Sequence, residues 1–240
     1  MQKCFHRGEI TSEVVELSME ESHHLCNVMR TRTGESVTML NGEGIVARGK
    51  LMASEKKCAR VKIDSVTKFE RPAHSLALLQ AALTNANNDH IVPEATAIGT
   101  CEIVFFEAQN SECKLKSKIA AKLMRWEALA IGACKQSGNP FLPKISYCET
   151  LEAIDLKNFD LKIFGGLSED ARTLKNVVSQ HSTAKNICVA IGPEGDFSAF
   201  EYNFLAANHF SECKLARNIL RAETAAIYAL SALDQLLVKD

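Results

Sequence analysis

Four short apolar runs recur after residue 75, and they constrain the fold of this chain more than any other feature. Each run is long enough for one buried strand, and polar or helical stretches separate them. Strands that alternate with helices are typical of an α/β fold with a mostly parallel sheet. The runs are Leu76–Leu83, Glu102–Phe106, Leu161–Phe164 and Asn186–Ile191.

A long helix is predicted between the second and third of these runs. Residues 116–135 repeat apolar side chains at helical spacing, which gives the segment one apolar face. That face contains Ile119, Leu123, Trp126, Ala130 and Ala133.

The first 70 residues have a different pattern, of short strands and turns. Asn41-Gly42 separates two apolar runs and predicts a hairpin, and residues 58–63 alternate like a half-buried strand. Phe69–Pro72 is the predicted linker. We therefore expect a small β-rich domain over residues 1–71 and an α/β domain over residues 72–240.

Charge and cysteine content exclude several classes of protein. The net charge is −1, so any contact with a nucleic acid has to be local. Nine scattered cysteines include no CxxC pair and no zinc-finger spacing, which predicts reduced thiols and no metal. No apolar run approaches the length of a membrane span or signal peptide, so we expect a soluble, cytoplasmic protein.

The stretch IGPEGDFS, residues 191–198, directly follows the fourth apolar run. Pro193 fixes one backbone angle, while Gly192 and Gly195 permit unusual angles or close approach of a ligand. Ser198 and Glu201 have the spacing of a capping box that begins a helix. The loop is either an ordinary turn or, at the carboxyl end of a parallel strand, part of a ligand site.

A second segment, residues 215–226, leads from a short strand into the terminal helix. It combines apolar Ile219 and Leu220 with the charged Arg221 and Glu223. This mixture suits a ligand with an apolar face and polar edges, such as adenine, although an ordinary helix start would also contain an early glutamate.

Together the two motifs, IGPEGDFS at 191–198 and ILRAETA at 219–225, resemble those of the SPOUT superfamily of methyltransferases. More closely, they are similar to the ribosomal RNA small-subunit methyltransferase E family. The resemblance implies a PUA-like β-barrel RNA-binding domain over 1–71 and a domain with a deep trefoil knot over 72–240. It also implies a homodimer that uses S-adenosylmethionine (SAM) to methylate N3 of a uridine in 16S rRNA of the small ribosomal subunit.

The resemblance further implies roles for individual residues. Arg221 would stabilise the developing anion, with Glu194 and Glu223 as polar contacts or orienting groups. The sequence itself offers Arg7, Arg30, Arg32 and Arg60 as RNA contacts, and Lys56, Lys57 and Arg60 form either a basic edge for RNA or a solvated hairpin. The cofactor would be bound by Gly166, Leu167, Ile191, Gly192, Pro193, Gly195, Leu215, Ile219, Leu220 and Thr224.

Several positions depart from the family pattern. Cations of the family are replaced at Glu94, Asn110, Asn139 and Asn218, and Asp196 stands where the family has glycine. Two alternatives therefore stay open: a divergent protein that binds RNA or a ribosomal particle without methylating it, and a methyltransferase with another RNA target.

Overall fold

The computed structural model describes residues 2–11, 13–55 and 58–238. Packing divides the chain into two units. The first contains residues 1–71 and 131–142, and the second contains residues 72–130 and 143–240. The segment 131–142 thus packs with the first unit although it follows the linker in sequence.

The first unit contains a five-stranded sheet with one parallel pair, β1–β3; its other pairings are antiparallel. Its order is β1-β3-β4-β5-β2. The hairpin predicted at Asn41-Gly42 connects β3 and β4. In chain order the elements are β1 (Gln2–Phe5), β2 (Val14–Glu16), α1 (Met19–His23), β3 (Ser36–Leu40), β4 (Ile45–Glu55) and β5 (Cys58–Lys68).

A close approach between β4 and β5 requires glycine at position 49. A Cβ atom there would lie 2.2 Å from the carbonyl oxygen of Lys62, at a register shift between the two strands. Leu25, from a π-helical turn at His24–Val28, joins Val37, Met39 and Val61 in the core of this unit.

The second unit is built around a seven-stranded sheet in which every pairing is parallel. The predicted α/β class is therefore confirmed. The strand order is β10-β12-β9-β11-β6-β7-β8. The strands are β6 (Ser75–Ala81), β7 (Glu102–Phe106), β8 (Lys144–Cys148), β9 (Leu161–Gly165), β10 (Arg172–Thr173), β11 (Asn186–Ile191) and β12 (Ser211–Lys214).

Helices connect these strands. The long helix begins as a 3-10 turn at Lys116–Lys118, and Trp126 on its apolar face is buried and stacked on Phe105 at 4.1 Å between ring centres. The helices are α2 (Asn85–Ile98), α3 (Ile119–Ser137), α4 (Leu174–Gln180), α5 (Ala199–Ala207) and α6 (Ala222–Leu237). No clear sequence pattern marked β8, β10 or α4.

All nine cysteines are free thiols, and Cys4, Cys134, Cys188 and Cys213 are buried. Burial is the main cause that raises the pKa of Cys188 to about 12, which keeps that thiol protonated. Among the described residues, no helix is long and apolar enough to cross a membrane, and no group of acidic, histidine or cysteine side chains is arranged to hold a metal ion.

Candidate functional site

A cavity of about 480 Å³ lies where three neighbouring parallel strands, β9, β11 and β12, end. Such carboxyl ends are the usual ligand sites of parallel α/β sheets. Three segments of the second unit line the cavity: residues 165–168 after β9, residues 191–194 with Asp196 after β11, and residues 214–222 with Ala225 after β12.

The loop after β11 is held by the helix that follows it. Ser198 Oγ accepts a hydrogen bond from the Glu201 amide at 3.2 Å, and Glu201 Oε2 accepts one from the Ser198 amide at 2.8 Å. The predicted capping box is therefore confirmed. Glu201 is almost fully buried, and its other carboxylate oxygen, Oε1, accepts a hydrogen bond from the Gln109 amide at 3.0 Å.

Packing within the protein explains the two glycines of this loop. A Cβ atom at Gly192 would lie 3.2 Å from the ring of Phe197, and one at Gly195 would lie 3.2 Å from Asn110 Cβ. The space beside each glycine is thus occupied by the protein's own side chains. The packing of the protein itself therefore favours glycine at both positions, whether or not a ligand is bound.

In the loop after β9, side chains of the protein likewise occupy the space beside two glycines. A Cβ atom at Gly165 would lie 2.9 Å from the Leu215 side chain, and one at Gly166 would overlap the Glu212 side chain. Glu212 Oε1 also accepts a hydrogen bond from the Ser168 amide at 3.1 Å. Side chains of β12 and of the segment that follows it thus occupy the space beside these two glycines.

The third segment, residues 215–221, forms neither helix nor strand. Its residues line the cavity, and because they belong to no strand, their backbone groups are not committed to a sheet. Helix α6 begins at Ala222, and Arg221 is its N-cap residue without a side-chain capping bond. Arg221 and the positive end of the α6 dipole therefore lie at the same edge of the cavity.

Apolar and charged groups are both present in the lining. Ile191, Leu215, Ile219 and Leu220 provide the apolar part, and Ile219 is exposed although it is a large apolar residue. Charged side chains of both signs surround them: Lys214, Arg217 and Arg221 with Glu194 and Asp196. None of the salt bridges between described residues includes these three cations.

The cavity brings together most of the residues expected at a cofactor site. Gly166, Leu167, Ile191, Gly192, Pro193, Leu215, Ile219 and Leu220 line it, as do Arg221 and Glu194. Gly195, Thr224 and Glu223 do not. Glu223 instead lies 3.4 Å from the side-chain nitrogen of Asn87 on α2.

The four arginines expected to contact RNA lie in the first unit, and all are exposed. Arg60 Nε donates a hydrogen bond to Glu16 Oε2 at 3.4 Å. This hydrogen bond is the main cause that raises the pKa of Arg60. Arg30 has a left-handed backbone, with φ of 55°. Lys56 and Lys57 lie outside the described residues.

The positions that depart from the family pattern have distinct surroundings. Asn218 lines the cavity, and Glu94 is exposed on α2. Asn139 accepts a hydrogen bond from the Phe141 amide at 3.0 Å. Asn110 donates to two carbonyl groups of the loop after β11.

Sequence reasoning did not assign several residues of the site. Lys214 directly precedes the predicted 215–226 segment, and Ala216, Arg217, Ala222 and Ala225 were included only as members of that segment, without individual roles. Asn110, Glu201, Tyr202 and Glu212 support the loops from elsewhere in the chain. No local pattern reveals such support, because it depends on contacts between distant segments.

Two family models match the chain. An RNA methyltransferase domain matches residues 70–234, and an RNA methyltransferase PUA domain matches residues 17–64.

Individual relatives agree with these matches. Ribosomal RNA small subunit methyltransferase E of Bacillus subtilis is 26% identical over 248 residues, which covers 97% of this chain and 96% of the relative. The enzyme of the same name from Mesomycoplasma hyopneumoniae is 30% identical and covers 70% of this chain and 73% of the relative. A Legionella pneumophila protein whose structure was solved in complex with SAM is 27% identical to this chain, with a TM-score of 0.89. The match covers 97% of this chain and 96% of the Legionella chain.

Proposed function

Because the chain belongs to the ribosomal RNA small subunit methyltransferase E family of RNA methyltransferases, we propose that it transfers a methyl group from SAM to N3 of a uridine in 16S rRNA. The observation that carries this proposal is the cavity at the ends of β9, β11 and β12. Both motifs of the family contribute residues to it, and helix α5 and strand β12 separate the two motifs in the sequence.

The lining fits SAM in size and chemistry. A volume of about 480 Å³ is within the usual range for small-molecule sites. Leu215, Ile219 and Leu220 offer an apolar bed for adenine, and the irregular backbone of 215–221 offers hydrogen-bonding groups for its edge. The exposed carboxylate of Glu194 suits a cationic ligand. When bound, SAM supplies an electrophilic methyl group on a sulfonium.

The protein then has to position uracil and stabilise the charge that forms on it. Loss of the N3 proton places negative charge on the ring, and a preorganised cation stabilises such charge most effectively. Arg221 is suited to this role because it lies at the cavity beside the positive end of α6. Glu194, exposed in the lining, is proposed as a polar contact, and Glu223 as a residue that orients the start of α6 through Asn87.

RNA binding would depend on local cations, since the whole chain has a net charge of −1. We propose phosphate contacts by Lys214 and Arg217 at the cavity, in addition to Arg7, Arg30, Arg32 and Arg60. Residues 1–71 would accordingly be the RNA-binding domain, as a PUA-like β-barrel.

Three further features of the family are proposed for this chain: the trefoil knot, the homodimer and a cytoplasmic location. The irregular segment between β12 and α6, set against the loops after β9 and β11, supports the knot. Exposed apolar side chains such as Tyr228 and Leu236 on α6 support a subunit interface. Light scattering of the purified protein tests the dimer.

The function is tested by methyl transfer from labelled SAM to small ribosomal subunits and to free 16S rRNA, both from a strain without the modification. We expect label at one uridine N3, located by mass spectrometry of RNA fragments. Label at another base would indicate a different target. Absence of label, together with RNA binding, would indicate a protein that binds without methylating.

A further inference from the structure

The loop after β11 contains a residue in an unfavourable backbone conformation. Asp196 has φ of 62°, in the left-handed region that side chains other than glycine, asparagine and aspartate rarely adopt. Asp196 lines the cavity, as do Gly192, Pro193 and Glu194 of the same loop. The shape of the cavity therefore depends on what keeps this conformation in place.

Asn110 holds the loop from the side of β7. Its Nδ2 group donates to the carbonyl oxygens of Gly195 at 3.1 Å and of Asp196 at 3.0 Å. Gly195 allows this approach, because a Cβ atom there would lie 3.2 Å from Asn110 Cβ. One side chain thus binds two successive carbonyl groups on either side of the strained position.

Tyr202 holds the same loop from α5. Its hydroxyl lies 3.1 Å from Asp196 Oδ1 and 2.9 Å from Oδ2, and Oδ1 also accepts from the Phe197 amide at 2.8 Å. The Tyr202 ring contacts the edges of Phe164 and Phe197, with ring centres 5.7 and 5.9 Å apart. Burial, and then the bond to Asp196, raises the pKa of Tyr202, so its hydroxyl remains a donor.

The segment that carries Asn110 is itself anchored. The Gln109 amide donates to Glu201 Oε1 at 3.0 Å, and Glu201 also closes the capping box with Ser198. The loop after β7 and the loop after β11 are therefore both fixed to the start of α5. This common attachment gives Asn110 a defined position from which to bind the Asp196 loop.

We propose that Asn110 and Tyr202 are positioning residues, which lock the Gly192–Phe197 loop through Asp196 in the conformation that binds the cofactor. Neither side chain lines the cavity, so each acts through the loop. Asn110 replaces a cation of the family pattern and binds the backbone of the loop, while Asp196 replaces a glycine and its side chain binds Tyr202. The assignment of the ligand rests on the proposed function, whereas the lock is a property of the protein alone.

The first experiment measures the lock without any ligand. Asn110→Ala removes both carbonyl contacts from an exposed position, and Tyr202→Phe keeps the ring while removing the hydroxyl. Hydrogen–deuterium exchange of residues 192–198 is expected to become about tenfold faster in each variant, the effect of losing one or two hydrogen bonds. Gln109→Ala is the matched control, because Gln109 bonds to Glu201 through its backbone only. Unchanged exchange in both variants would overturn the lock.

The second experiment measures the consequence for the site. We expect S-adenosylhomocysteine to bind about tenfold more weakly to each variant by calorimetry, with kcat at saturating SAM within about threefold of the unmodified protein. Asn110→Gln, which keeps the amide, should recover part of the affinity. Faster exchange with unchanged affinity would overturn the positioning role. Failure of the unmodified protein to bind S-adenosylhomocysteine would instead reject the proposed function, while the exchange experiment would still decide the lock.

Discussion

A Cβ atom at Gly192 would lie 3.2 Å from the ring of Phe197, so the first glycine of the IGPEGDFS motif is required by packing within its own loop. Phe197 is buried and makes edge contacts with Phe164 and Tyr202. The ring therefore has little room to move away. The geometry of this wall of the cavity depends on the absence of a side chain at position 192.

Gly192→Ala is accordingly expected to displace Phe197 and distort the loop. We expect the free energy of unfolding to fall by about 1–3 kcal/mol, as for other overpacked sites, and S-adenosylhomocysteine affinity to fall about tenfold. Urea denaturation and calorimetry measure the two effects. Gly132→Ala is the control, since a Cβ atom there would meet no neighbouring segment within 4 Å and alanine favours helix α3. An unchanged unfolding free energy in Gly192→Ala would contradict the packing effect, and normal affinity would contradict its influence on the cavity.

Glu201 joins two loops to the start of α5, and its removal should destabilise the second unit. Glu201→Ala leaves the amides of Ser198 and Gln109 without their acceptor. We expect a loss of about 2–3 kcal/mol in unfolding free energy, measured by urea denaturation. Asn203→Ala, at an exposed position of the same helix, should change it by less than about 0.5 kcal/mol.

Arg221 is proposed to act on the reacting base rather than on the cofactor. Arg221→Ala is therefore expected to lower kcat about 100-fold, as for the loss of one preorganised charge-stabilising group, while S-adenosylhomocysteine affinity stays within about threefold. Arg221→Lys, which keeps the charge but not the shape, should retain more activity. Turnover at the normal rate in Arg221→Ala would remove this residue from the mechanism.

Arg217 at the cavity should contribute one phosphate contact. In Arg217→Ala, the slope of log affinity for 16S rRNA against log salt concentration is expected to decrease by about 1, without a change in cofactor affinity. Filter binding at several salt concentrations measures the slope. Lys175→Ala removes an exposed lysine that does not line the cavity, and it should leave the slope unchanged. An equal decrease in both variants would indicate a general charge effect.

Glu107 should make the stability of the second unit dependent on acid pH. Burial by itself raises the pKa of the Glu107 carboxyl. Three hydrogen bonds lower the pKa and outweigh burial, so the pKa lies below its ordinary value. The donors are the Lys116 amide at 3.0 Å, the Leu115 amide at 2.7 Å and the Tyr147 hydroxyl at 3.0 Å. The stabilisation is therefore complete above the ordinary value of 4.5 and is lost as the pH falls through the lowered pKa.

The measurement compares the unfolding free energy of the unmodified protein and Glu107→Gln at about pH 6 and about pH 3. We expect the difference between the two proteins to be about 1–2 kcal/mol at the higher pH and to shrink at the lower pH. A difference that does not change with pH would show that the charge of Glu107 is not involved.

Local patterns were sufficient to predict the four strands β6, β7, β9 and β11, the α/β class and the capping box at Ser198. Each of these depends on residues within a few positions of one another, or on a period that repeats along one segment. The two motifs also indicated a cofactor site, because their residue types and order resemble those of a known family. Eight of the ten residues expected to bind the cofactor line the cavity.

Only the tertiary structure decided which of these residues meet and what supports them. Glu223 is turned toward Asn87, and Gly195 toward Asn110, because contacts between segments set those directions. Asn110 lies 85 residues from Gly195 in sequence, yet it binds the carbonyl group of that residue. Such a contact depends on the order of the parallel strands, because that order brings distant loops to one edge of the sheet. Local sequence patterns do not contain this information.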